Sequence, residues 1–246
     1  MFKNGRVLTP EQFSELFGDI IKMITKALFG FTKEEVQWLI GHKKQLAETI
    51  TGAITSLVSE IDTWGGWRNE WEKFYSDVME MTVDFSSLVI PEKPEGNWWL
   101  VVVAPDVTHN QIIEKLRTLF PVWINAADFD EVIDITKEQR RATDNPYAIW
   151  VKANDEAGRE NAHKSANDLG TTPQITLIER LILEYVHFKW LGGHLDISTT
   201  TLCAGSRKSD GNVPRVHWDG GHDRLDVYWY RADDRSDYLR SRSVSC

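Results

Sequence analysis

Two histidines and two aspartates lie close together near the C-terminal end of the chain, in His217-Trp218-Asp219 and His222-Asp223. Imidazole and carboxylate groups at this density could hold a divalent metal or serve acid-base catalysis. His217 and Asp219 share one face if the segment is a β-strand, whereas His222 falls in the following turn, where its direction is open. A metal-assisted hydrolase using His217, Asp219 and His222 is therefore one hypothesis. A solvated polar hairpin without catalysis is the reading that we favour.

Other reactive side chains lack the neighbours that catalysis needs. Cys203 has no adjacent base, and Ser206 lacks the G-x-S-x-G turn that presents a nucleophilic serine. No phosphate-binding glycine motif occurs, and Cys203 with Cys246 can form at most one disulfide and no zinc site alone. His194 follows Gly192-Gly193, where a histidine usually caps carbonyls or packs. We therefore expect no enzyme activity, no cofactor and no resident metal.

Composition restricts the class of protein. The chain has 246 residues, of which 41% are hydrophobic, enough to fill a packed core. Its formal charge of -9 opposes sequence-independent attraction to a phosphate backbone, so general nucleic-acid binding is not expected. Met1 is followed by no apolar run of signal-peptide length, and no run of 18 apolar residues occurs. We expect a cytoplasmic protein without membrane insertion.

The first third of the chain has the apolar spacing of helices. Thr9-Pro10-Glu11-Gln12 supplies start signals, and a 3.6-residue apolar stripe then continues to Gly30. Thr32 and Glu35 form a second capping box before another stripe that reaches about residue 62. The sequence predicts a helical hairpin within residues 1–84. Its expected role is packing or homo-oligomerisation, and a partner-docking or assembly function is the alternative.

The remainder, residues 85–246, alternates strands and helices and predicts an α+β domain with a small, mostly antiparallel sheet. The predicted elements are a strand at 98–103, a helix at 108–119 with Thr108 as its cap, short strands at 121–124 and 147–151, and a central buried helix that starts at Thr172-Pro173 and ends at Gly192-Gly193. The stretch 154–170 is polar and predicts a loop with a helical turn. Two strands of a hairpin follow near the C-terminal end.

Those two strands have a period of two, so each should present one polar and one apolar face. The polar positions are Arg215, His217, Asp219, Asp226, Tyr228 and Tyr230, and the apolar positions are Val216, Trp218, Leu225, Val227 and Trp229.

The C-terminal region that contains these strands also lacks particular residue types. All 14 lysines, 18 glutamates, six glutamines and four methionines precede residue 209, although chance would put about six of them after it.

A codon mechanism explains this bias. Replacing the two adenines of an AAC asparagine codon by any base reaches Asp, Tyr, His, Arg, Ser, Gly and others, but never Lys, Glu, Gln, Met or Trp. The polar positions of the two strands all belong to the reachable set, whereas the apolar Trp218 and Trp229 do not. Such variation would change one face of a sheet without touching the core. The pattern is typical of a displayed binding surface.

Several motifs here are similar to those of the variable target proteins that retroelements diversify. They are Cys203-Ala204-Gly205-Ser206-Arg207, Ser209-Asp210-Gly211-Asn212-Val213-Pro214, the two V-x-W alternations and Leu239-Arg240-Ser241-Arg242, which stands where the family usually has Gly-Phe-Arg. The resemblance covers roughly residues 98–246. It implies a C-type-lectin-like fold and a variable segment at about 205–242. Calcium motifs and paired disulfides are missing, so sugar binding does not follow.

The resemblance implies non-catalytic binding of an unidentified protein or other macromolecule. The expected ligand-binding residues are Asn212, Arg215, His217, Asp219, Asp226, Tyr228, Tyr230, Arg235, Asp237 and Tyr238. The tyrosines would supply amphipathic contact area, and the charged side chains would supply adaptable polar contacts. Arg240 and Arg242 are expected instead to form structural ion pairs with Asp233, Asp234 or Asp237.

Overall fold

The structure is a computed structural model that describes residues 29–61 and 64–246, together with the isolated positions 18, 22 and 26. The predicted first helix, from Thr9 to Gly30, lies almost entirely outside the described residues. The chain divides into two compact units, residues 1–68 and 69–246.

The first unit contains helices α1 (Lys33–Gly41) and α2 (Lys43–Ile61). The capping box predicted at Thr32 is confirmed, because the Thr32 hydroxyl accepts from the Glu35 backbone N–H while the Glu35 carboxylate accepts from the Thr32 backbone N–H. The single predicted helix is interrupted at His42, where the backbone turns to φ -111°. Gly41 favours this interruption, because glycine is a weak helix former.

The second unit starts at Asn69, within helix α3 (Trp64–Lys73), and continues through a π-turn at Phe74–Val78. Tyr75 is buried, and its hydroxyl donates to the Val102 carbonyl at 2.8 Å. The sequence predicts a boundary near residue 85, whereas the compact unit already includes the residues from 69 onward.

The first sheet of this unit joins residues that are far apart in sequence. Strands β1 (Trp98–Val103), β3 (Tyr147–Lys152) and β8 (Val244–Ser245) lie in the order β1-β3-β8, and both pairings are antiparallel. The bounds of β1 are those that the apolar run predicts. Its residues from Trp99 onward are buried, which explains why the strand is apolar without alternation.

Two helices pack against each other, and one of them contacts this sheet. Helix α4 (His109–Arg117) contacts the long helix α7 (Leu177–Leu191), and α7 contacts β1. The predicted cap at Thr108 is confirmed by its capping box with Gln111. The predicted start of the long helix at Thr172-Pro173 is wrong: α7 begins after a capping box at Thr176. The preceding residues are held extended because the Ile175 N–H donates to the Arg242 carbonyl.

The second sheet is mixed. Its strands are β2 (Val122–Ile124), β6 (Arg224–Tyr230), β5 (Val213–Asp219), β4 (Thr200–Leu202) and β7 (Leu239–Arg240), in that spatial order. Strand β5 is antiparallel to both of its neighbours, whereas β2 runs parallel to β6 and β7 runs parallel to β4. The α+β class is thus confirmed.

Short helical segments lie in the connections: α5 (Phe129–Val132), a 3₁₀ turn (Arg159–Asn161) and α6 (Ala166–Leu169). The last two fit the polar stretch that predicts a loop with a helical turn. Within the described part of the chain, no helix combines the length and apolar character that crossing a membrane requires.

Candidate ligand-binding surface

The register of β5 against β6 separates two faces. Arg215 lies opposite Tyr228, His217 opposite Asp226, and Asp219 opposite Arg224. These pairs share one side of the sheet, which we call the outer face, because directly paired residues point the same way. The intervening positions form the inner face. The alternation predicted for both strands therefore matches the structure.

The inner face belongs to the core. Its buried residues on the two strands are Pro214, Val216, Trp218, Leu225 and Val227. The Trp218 ring lies parallel to the His194 ring, with centroids 3.3 Å apart, and the His194 Nδ1 lies 3.0 Å from a Glu184 carboxylate oxygen. His194 therefore packs, as expected. Trp229 lies at the edge of this face, half-buried and stacked on Phe129.

Aromatic rings follow one another across the outer face. Trp123 of β2 lies beside Asp226 in the parallel register and meets the edge of Tyr228 at 5.6 Å. Tyr228 contacts Tyr230, whose hydroxyl lies 3.1 Å from the Tyr238 hydroxyl. Trp123 is 40% exposed and Tyr238 is 49% exposed. These rings offer large, partly accessible contact area of the kind that binding surfaces use.

Arg215 lies on the outer face, but the expectation that it points into solvent is wrong. It is only 5% exposed, because its guanidinium carbon lies 3.2 Å from the Tyr228 ring centroid and 4.3 Å from that of Tyr230. Its Nε makes no hydrogen bond within the described structure. Burial of the guanidinium lowers the pKa of Arg215 to about 10.

Asp226 is also buried, at 6% exposed, and is therefore not the exposed polar contact that was expected. Its carboxylate accepts from Arg224 Nε at 2.7 Å, and the Arg224 guanidinium lies 5.3 Å from the Trp123 ring centroid. His217 is half-buried, and its Nδ1 has no hydrogen-bond partner among the described residues. Burial and the nearby Arg215 charge lower the pKa of His217.

The hydrolase hypothesis needs His217, Asp219 and His222 to converge, and the geometry gives them different roles. Asp219 Oδ2 lies 2.6 Å from His222 Nδ1, and Asp219 Oδ1 accepts from the Gly221 backbone N–H. The hydrogen bond to His222 lowers the pKa of Asp219. Asp219 thus stabilises the turn. Among the residues that the structure describes, no three His, Cys, Asp or Glu side chains are arranged to hold a metal.

The other expected ligand-binding residues lie away from the centre of the outer face. Asn212 is half-buried in a turn where the Lys208 N–H donates to the Asn212 carbonyl. Arg235 donates twice to Asp168, at 2.6 and 2.7 Å, and is therefore already paired. Asp237 and Tyr238 are exposed and line a cleft of about 590 Å³. The structure thus distributes the predicted residues over a face, a turn and a cleft.

The end of the outer face towards β4 and β7 is covered. Leu202, Val213 and Leu239 pack against Ala166 and Leu169 of α6. These residues form a small core on the outer side of the sheet, and Tyr230 borders it. The half-exposed part of the outer face therefore lies on β6 and β2.

Sequence reasoning missed Trp123 and Arg224 as parts of this surface. Residues 121–124 were predicted as a strand, but its parallel pairing with β6 depends on long-range contacts that no local pattern encodes. The alternation of Trp123 with Val122 and Ile124 was the available signal. Only the sheet order brings the Trp123 ring beside Tyr228.

The C-terminal arginines are structural, with one change from the expected partners. Arg240 pairs with Asp237 at 3.4 Å, as expected, but Arg242 pairs with Asp196 at 2.6 Å. Asp196 is fully buried and also binds Arg180. Cys203 and Cys246 are both free, and burial raises the pKa of the Cys203 thiol, which keeps it unreactive.

Comparison of the chain with known proteins finds no matching family model, no matching curated protein and no matching solved structure. Function is therefore inferred from the residues and their geometry. The outer face, its aromatic rings and the compositional bias of residues 209–246 carry that inference.

Proposed function

We propose that this protein binds another macromolecule through the outer face without catalysis, and that its variable segment, at about 205–242, is diversified as in retroelement target proteins. One observation carries the proposal. On β5 and β6 the codon-reachable residues Arg215, His217, Tyr228 and Tyr230 lie on the outer face, while Trp218 packs on the inner face. Variation restricted to outer positions would leave the core of the sheet intact.

A C-type-lectin-like fold for residues 85–246 is part of the proposal. The pairing of β1 and the C-terminal β8 with the same strand, β3, supports it. Helix α7, which contacts both β1 and α4, supports it as well. The second sheet then carries the ligand-facing strands β5 and β6.

The chemistry of the outer face favours a protein as the partner. Trp123, Tyr228, Tyr230 and Tyr238 combine apolar rings with polar tips and lose little side-chain entropy on binding. The formal charge of -9 disfavours nucleic acid as the occupant. A cytoplasmic location and self-association through the N-terminal helices stay predictions.

Two matched libraries test this function. In one, the codons of His217, Asp219, Tyr228 and Tyr230 are replaced by NNC, where N is any base. In the other, the codons of Val216, Trp218, Leu225 and Val227 are replaced in the same way. Each library is displayed on phage, assayed for folding by protease resistance, and selected against an immobilised test protein such as lysozyme.

We expect the outer library to retain folded clones and to yield specific binders, because its positions lie outside the core. The inner library should lose most folded clones, because NNC codons cannot restore Trp218 and mostly replace the other buried apolar residues by small or polar ones. Equal loss of folding in both libraries would contradict the proposed surface. So would an outer library that folds but yields no binder stronger than the unmodified protein.

A further inference from the structure

Arg215 is a buried cation that lacks a counter-ion. No carboxylate of the described residues forms an ion pair with it, and no hydrogen bond joins its guanidinium to a described residue. Burying a charge without a partner is costly, so such groups are normally paired inside proteins. Two tyrosine rings reduce this cost through cation-π attraction, but they accept no N–H in the plane of the guanidinium.

The nearby carboxylates are already paired with other side chains. Asp226 accepts from Arg224 Nε at 2.7 Å, and Asp219 binds His222 at 2.6 Å. Tyr230 directs its hydroxyl to Tyr238. An arginine has five N–H donors in a fixed planar fork, and at Arg215 the described structure leaves them for an external acceptor.

We propose that Arg215 is the receptor for one carboxylate, supplied by an aspartate or glutamate side chain of the protein partner that occupies the outer face. This inference rests on the proposed function. A carboxylate matches the guanidinium fork with two parallel hydrogen bonds. It is preferred over a phosphate dianion because Asp219 and Asp226 lie on the same face and the whole chain is acidic.

The Tyr230 ring restricts access to the guanidinium. Tyr230 is half-buried and covers Arg215 at 4.3 Å, and its outer end is held by the single contact with the Tyr238 hydroxyl. Rotation of a partly exposed side chain is fast compared with protein association. Displacement of the Tyr230 ring by the partner would therefore give a carboxylate more room beside the Arg215 N–H groups, while the Tyr228 ring stays against the guanidinium.

The experiment titrates the full chain with propionate, which reproduces a glutamate side chain from Cβ outward. The ¹⁵Nε–¹Hε NMR signal of Arg215 is the readout, and it is assigned by its loss in Arg215→Gln. Parallel titrations use sodium chloride at equal ionic strength and inorganic phosphate. We expect a saturable downfield shift of the Arg215 Hε signal with propionate, and no such shift with chloride or phosphate.

Two variants serve as controls, with the backbone amides of His217 and Tyr228 as reporters. Arg231→Gln removes an exposed arginine that is already paired with Asp233, and it should leave propionate affinity unchanged. Arg215→Lys keeps the charge but loses the fork, and it should weaken propionate binding by about tenfold. A shift equal to that of chloride, an equal response to phosphate, or unchanged affinity in Arg215→Lys would overturn the proposal.

Failure of this inference is distinguishable from failure of the proposed function. If propionate does not bind while the outer library still yields binders, the proposed binding surface is supported and Arg215 has only a structural role. If propionate binds at Arg215 while neither library yields binders, the carboxylate receptor stands and the diversified surface is rejected.

Discussion

Two regions of the second unit bury arginine in opposite ways. In the interior, Arg180 and Arg242 share the carboxylate of Asp196, at 2.9 and 2.6 Å. On the outer face, Arg215 is also buried, at 5% exposed, but its guanidinium lies against the rings of Tyr228 and Tyr230 without a carboxylate. Burial alone therefore does not distinguish a structural arginine from a candidate binding residue.

The difference lies in what each charge contacts. The Asp196 cluster is closed, because Arg242 also donates to the Asn154 and Asp155 carbonyls and Arg180 also binds Glu184. Such a cluster holds distant segments together and has no capacity for a ligand. Arg215 retains donors without acceptors in the described structure, which is the feature expected where a partner completes the site.

Removing a member of the closed cluster should have the largest effect. Arg242→Met leaves Asp196 with one fewer counter-ion. It also removes the N–H groups that donate to the Asn154 and Asp155 carbonyls. We expect the free energy of unfolding to fall by about 3 to 5 kcal/mol, because breaking a buried ion pair leaves an uncompensated charge. Urea unfolding measures it. A loss below about 1 kcal/mol would remove the contrast between the two regions.

The two tryptophans that flank the sheet should also differ. Trp218→Ala removes a buried ring stacked on His194, so we expect a loss of about 3 kcal/mol or more. Trp123→Ala removes a ring that is 40% exposed, and we expect a loss of about 1 kcal/mol or less. The same unfolding measurement compares them. The reverse order would mean that the outer face is the packed one.

His109 is another buried titratable group; it lies beside two carboxylates and gives a pH test. Burial opposes its charged form, but Asp130, 3.1 Å from Nδ1, and Glu138, 3.7 Å from Nε2, outweigh burial and raise the pKa of His109 to about 8. A raised pKa contributes stability below the unfolded value of about 6.5, and this stability is lost as pH rises through about 8.

We therefore expect the free energy of unfolding to fall by about 2 kcal/mol more in the wild type than in His109→Gln between pH 6 and pH 9. Urea unfolding at several pH values measures the two slopes. Parallel slopes would show that Asp130 and Glu138 do not stabilise the protonated imidazole.

Arg215→Met should have the smallest effect. Replacing an unpaired buried charge by an apolar side chain removes a desolvation cost, and methionine keeps contact with the two tyrosine rings. We expect the free energy of unfolding to change by no more than about 0.5 kcal/mol. A loss as large as that of Arg242→Met would show that Arg215 is structural, and the comparison would fail.

Local patterns predicted much of this fold. The apolar run at 98–103, the caps at Thr32 and Thr108 and the alternation in β5 and β6 all correspond to elements in the structure. Each depends on neighbouring residues alone. The sequence pattern predicts a start of α7 four residues too early, because an extended segment that pairs with Arg242 and Ser243 replaces the helix there.

The candidate site was harder to predict because exposure depends on long-range neighbours. Alternation put Arg215 and Asp226 on the correct face, but only the register opposite Tyr228 and Arg224 explains their burial. Trp123 joins the face through a parallel pairing that has no local signal.

The central claim is that variation is confined to the outer face, and comparison of the gene with an adenine-rich near-copy in the flanking DNA tests it most directly. The account predicts a reverse transcriptase gene nearby. It also predicts that gene and copy differ only at adenines of the copy, in codons of outer residues such as His217, Tyr228 and Tyr230. Differences spread equally over the inner residues Trp218 and Val227, or the absence of any near-copy, would contradict it.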